Sequence, residues 1–124
     1  MIVVALVFCS LLAALALFQV ALIAGAPLGQ FAWGGQDVVL PRNKRLGSVV
    51  SIVLYALFAY LALEKERYAG GDEPAIVSIA MWVIAGYLVL GIALNALSRS
   101  RRERIMMVPV SVALAGLALV LALS

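Results

Sequence analysis

The chain has 124 residues, of which 66% are hydrophobic and only 12% charged, and its nine basic and six acidic side chains give a net charge of +3. A soluble domain of this size has much surface for its volume and needs a polar skin, with about 25% charged residues as the ordinary supply; this composition excludes one. The charges also fall in blocks that leave long uncharged stretches, which is what a bilayer solvent demands.

Three further exclusions follow from residue counts. There is no histidine, which removes the commonest metal ligand and general base. Cys9 is the single cysteine, so no intrachain disulfide or CxxC motif can form, and its place inside an apolar run reads as packing. The basic residues flank apolar runs and do not alternate with aromatics. They therefore set orientation and touch lipid headgroups, and no nucleic-acid partner is expected. No cofactor motif is present.

The first apolar run, residues 2–24, carries no charge. As a helix it is about 34 Å long, enough for the ~30 Å hydrocarbon core. Ala24-Gly25-Ala26 has a faint likeness to a signal-peptide cleavage site. However, no Lys or Arg precedes the run, it exceeds the usual apolar core of a leader, and Pro27 would follow the cut. It is read as a retained span. The connection through Arg42 is punctuated by glycine and proline too often for a helix, and Phe31 and Trp33 suit the headgroup zone. Asn43 is the expected N-cap of a second helix over 44–67. Gly70-Gly71 stops it. Asp72, Glu73 and Pro74 favour the first turn of a third helix over 74–97. Ser100 and Glu103 fit a capping box ahead of a fourth over 101–123. A start at Pro109 would leave about 22 Å, too short to span, so the fourth helix is expected to run through that proline with a bend. The reading is an all-α, four-transmembrane-helix bundle forming one domain over 1–124.

The loops divide by charge. The first carries Arg42, Lys44 and Arg45 against Asp37, and the third Arg99, Arg101, Arg102 and Arg104 against Glu103. In the second, Lys65 and Arg67 are outnumbered by Glu64, Glu66, Asp72 and Glu73. With four spans, loops one and three share a side. The positive-inside rule places them in the cytoplasm and both termini outside. The seven basic residues of those two loops are candidate contacts for anionic lipid.

Helix pairing in lipid rests on small side chains, since tails are as apolar as leucine. Small residues recur at helical spacing in the first helix (Ala5, Cys9, Ala13, Ala16, Ala24), the second (Ser48, Ala59, Ala62), the third (Ser78, Ala85, Ala93, Ala96) and the fourth (Ser111, Ala115, Ala118, Ala122). No charged residue falls in a predicted hydrocarbon zone, which argues against a proton-driven pump. Gln19 and Asn95 lie about one turn from the same membrane face. Each makes an interhelical hydrogen bond worth about 0.6–2 kcal/mol or lines a polar pocket. With Gln30, Trp33 and Gln36 of the first loop as its roof, that pocket is the candidate site. The Gly34-Gly35 pair lacks the Lys-Ser/Thr of a phosphate loop and reads as a turn.

The text from Gln19 to Pro41, with Gly-Ala-Pro-x-Gly-x-x-Ala-x-Gly-Gly over 25–35 and Leu40-Pro41, together with Asn95 and Ser-Arg-Ser-Arg-Arg-Glu-Arg over 98–104, resembles a group of small bacterial four-helix membrane proteins. The resemblance covers most of the chain. It implies a bacterial inner-membrane location and brings no activity, substrate or catalytic residue.

Three classes of function remain as expectations. The first is a non-enzymatic membrane component or accessory subunit that packs against a second copy or a partner membrane protein. The second is a small-solute or lipid channel or transporter acting as an oligomer. The third is a lipid-modifying enzyme, for which the six carboxylates offer no evident constellation.

Overall fold

The computed structural model describes residues 2–124. It contains four helices, α1 (Ile2–Ile23), α2 (Arg42–Arg67), α3 (Ala75–Ala96) and α4 (Arg101–Leu123), with two short 3₁₀ turns, Gly29–Phe31 and Trp33–Gly35, between α1 and α2. No strand occurs among the described residues. All four helices are long and apolar enough to cross a membrane. The all-α, four-span expectation is met.

Helix α2 begins earlier than its sequence indicates. Pro41 occupies the N-cap position with extended backbone, and its carbonyl accepts the Arg45 N–H at 3.0 Å. Asn43 is therefore inside the first turn and caps nothing: the fixed φ of proline already suits the residue entering a helix. At α4 half of the expected capping box forms. Ser100 Oγ accepts the Glu103 N–H at 3.2 Å, while the Glu103 carboxylate turns away to the first loop. Helix α4 continues through Pro109, whose side chain is exposed.

The chain makes two hairpins, α1–α2 and α3–α4, each packed extensively along its length, and smaller α1–α4 and α2–α3 contacts join them. The core runs through Phe8, Leu12, Phe58, Met81, Ile84 and Leu114. On α4, Ser111, Ala115, Ala118 and Ala122 are all buried, as the small-residue reading requires. On α1 the stripe is corrected. Its buried row is Ala5, Phe8, Leu12, Gln19 and Leu22, whereas Ala13 and Ala24 are exposed. On α3, Ala85 is buried but Ala93 and Ala96 face outward. The remaining surface is apolar, with Leu17, Val53, Ile76 and Val83 all exposed. In water so large a patch would drive association; in a bilayer it is the ordinary solvated face.

The first and third loops meet at one end of the bundle. At the other end Lys65 is buried. Its Nζ pairs with Glu73 at 2.8 Å and donates to the Ser124 carbonyl at 2.9 Å, which ties α2 to the starts and ends of the second hairpin.

Candidate functional site

The first loop is held by its own polar groups. The Gly29 N–H donates to the Val38 carbonyl at 2.8 Å, pinching the two limbs so closely that a Cβ at Gly29 would lie 2.1 Å from the Asp37 carbonyl oxygen. Arg45 donates to the carbonyls of Leu40 (2.7 Å) and Ile23 (3.4 Å), stapling the loop's exit to the end of α1. Lys44 pairs with Asp37 at 2.6 Å and reaches the Gln36 amide at 3.3 Å. Beneath these, Leu22, Ala32 and Leu40 form a small apolar cluster with Phe18 and Leu28.

The loop then docks on α4. The Gly34 N–H donates to a carboxylate oxygen of Glu103 at 3.2 Å, and Ser100 Oγ donates to the Gln30 carbonyl. Arg102 donates to the Gln30 side-chain oxygen at 2.7 Å. Trp33 sits at φ +52, a left-handed conformation rare for a bulky residue. Its indole N–H donates to Ser48 Oγ at 3.4 Å, and its ring lies over Gly47, where a Cβ would come within 2.8 Å of it.

Below this roof, between the hairpins, is a cavity of about 430 Å³. Gln19 of α1, Ser51 and Tyr55 of α2, Asn95 of α3, and Ser111 and Glu103 of α4 supply its polar groups. Leu15, Leu88, Leu94, Met107 and Leu114 are among its apolar walls. The edge-to-face pair Phe58–Tyr87, with ring centroids 5.6 Å apart, joins α2 to α3. Asn95 Nδ2 donates to Ser111 Oγ. Gln19 is 8% exposed; its amide stands beside the Tyr55 hydroxyl, and its Oε1 has no hydrogen-bond partner among the described residues. An unmet buried polar atom costs about 1–3 kcal/mol. Leu90 and Leu94 of the α3 wall are more than half exposed, at 56% and 62%, so the cavity is bordered by membrane-facing surface.

A second depression, of about 440 Å³, lies across the Gly34–Gly35 turn from the first and is lined by Gln30, Gln36, Ser100, Arg99, Arg101 and Arg102. The candidate residues thus divide. Gln19, Trp33 and Asn95 come together in the inner cavity. Gln30 and Gln36 do not join them, because the backbone turns over at two glycines and delivers those amides to the outer side. The basic residues divide as well. Lys44, Arg45 and Arg104 (to the Ser98 carbonyl, 2.6 Å) are engaged within the protein. Arg42 is exposed, and the remaining three arginines line the outer depression. Sequence reasoning missed Glu103, Tyr55 and Ser111 as wall residues. For Glu103 a signal existed: it is the one acid in an arginine-rich loop.

No protein-family profile, curated protein or solved structure matches the chain. The functional reading therefore rests on the site's own chemistry. Gln19, Asn95 and Glu103 bring hydrogen-bonding groups to the loop end of the cavity, Tyr55 and Ser111 bring others farther along their helices, and most of the remaining wall is apolar; most binding cavities pair a few placed polar groups with such walls.

Proposed function

We propose that the protein is a non-enzymatic membrane component that holds an amphiphile of the bilayer in the cavity between its hairpins. The observation that carries this reading is the Gln19 amide, buried on the cavity wall beside Tyr55 with an oxygen that has no hydrogen-bond partner among the described residues. A hydroxyl or amine head would satisfy it, and the tail would lie against Leu15, Leu88 and Leu114. The accessible α3 wall supports entry from the membrane. The same proposal places the chain in a bacterial inner membrane, with loops one and three in the cytoplasm. Its support is the charge partition of the loops and the resemblance given above.

Photolabelling tests it. A long-chain alcohol carrying a diazirine on its tail is added to the protein in lipid nanodiscs and the adducts are mapped by peptide mass. Adducts concentrated on cavity residues such as Leu88, Leu114 and Met107 are expected. Adducts spread equally over outward residues such as Val53 and Val83 would show ordinary lipid contact and end the proposal.

A further inference from the structure

We infer that the outer depression is a phosphate-binding site built from Arg99, Arg101 and Arg102 against the Gly34–Gly35 turn. The site takes the phosphate of a lipid headgroup or of a free phosphate compound. Gly34 borders both spaces, but the arginines that carry the inference line only the outer one, and it does not depend on the inner cavity's occupant.

Lys44, Arg45 and Arg104 at this end of the molecule are spoken for by carbonyls or a carboxylate. Arg99 and Arg101 have no hydrogen-bond or ion-pair partner among the described residues, and Arg102 spends one nitrogen on Gln30. All three line a single depression of about 440 Å³. A guanidinium has donors and no acceptor, and its fork matches phosphate oxygens in pairs. Three such groups brought together repel one another unless an anion sits among them.

The acids that stand nearest are both turned to other tasks. Glu103 faces the inner cavity and accepts the Gly34 N–H. Asp37 is held by Lys44 at 2.6 Å. Among the described residues no acid lines the depression. The other walls also suit an anion. Gln30 and Gln36 offer amides, and the Gly34–Gly35 backbone has no side chain to keep an oxygen away. The depression opens beside the first turn of the 23-residue helix α4, whose free N–H groups add a favourable field. It lies between the end of α3 and the start of α4, where two helices long enough to span would meet the headgroups.

The test uses the full chain in neutral detergent, with soluble dihexanoyl phosphatidic acid, dihexanoyl phosphatidylcholine and inorganic phosphate as probes, followed by ³¹P NMR titration. Two variants each remove one exposed charge at the same end: Arg101→Gln inside the depression and Arg42→Gln outside it. The site predicts that Arg101→Gln weakens phosphatidic acid binding about tenfold, the loss of one charge-assisted bond, while Arg42→Gln changes it less than about twofold. Parallel weakening of inorganic phosphate binding assigns the site to free phosphate compounds; binding of the lipid alone assigns it to headgroups. Equal losses in the two variants would reduce the effect to general surface charge and overturn the inference, as would no binding of either phosphatidic acid or inorganic phosphate by the unaltered chain. Filling the inner cavity by Gly91→Leu leaves this binding unchanged, so failure here and failure of the cavity reading are separable.

Discussion

Single residues decide whether the first loop is a lid or a tether. Gly35 carries the clearest burden. Its φ is +71, and a Cβ there would lie 2.3 Å from the Ser100 Cβ. Gly35→Ala therefore meets both a left-handed backbone and a wall. It is expected to lower stability by about 1–3 kcal/mol, read as earlier thermal unfolding in detergent. Gly34→Ala is a useful companion: its φ is +78 but nothing lies within 4 Å of the added carbon, so it reports the backbone cost alone and should be milder. Equal effects would mean that the loop does not press on Ser100. The residue scale is also where the sequence was least informative. Trp33, Gln19 and Asn95 were legible because polar or aromatic groups beside an apolar run stand out. Glu103 was hidden by a second plausible role, since S-x-x-E explains the acid without any cavity. Only the fold shows that its N–H joins the cap while its carboxylate holds Gly34.

At the scale of elements, the four spans were legible and their faces were not. An apolar run without charge announces a helix that needs lipid, but a helix that is apolar on every side carries no periodic signal for which side meets its neighbours. Spacing of small residues is the substitute. It succeeded on α4, where Ser111, Ala115, Ala118 and Ala122 are buried, and failed on α1, where alanine is common enough to fall on the lipid side at Ala13. The contrast is testable. Ala118 is fully buried, and Ala118→Leu, which adds three carbons there, should destabilise by about 1–3 kcal/mol. Ala13→Leu adds lipid-facing surface and should be close to neutral. Detergent melting curves that shift equally for both would show that the α1 and α4 faces are wrongly assigned.

On the scale of the whole molecule, two hairpins share one charged end and diverge enough below it to leave a cavity. The opposite end is drawn together by buried Lys65, Glu73 and the Ser124 carbonyl. Charge placement predicts the orientation of this body in its membrane: a reporter active only outside the cytoplasm, fused after Ser124, should be active, and one fused within the loop at Arg99 should be silent. The reverse pattern would invert the arrangement. Gly91 offers direct access to the cavity between the hairpins. It lines the cavity, and a Cβ added there meets nothing within 4 Å, so Gly91→Leu starts unobstructed and adds bulk at the cavity wall. Native mass measurement of the unaltered chain released from nanodiscs should show one retained amphiphile per protein, and the Gly91→Leu chain should have lost it while keeping its thermal stability. Retention of the same mass by both chains, or none by either, would contradict the account.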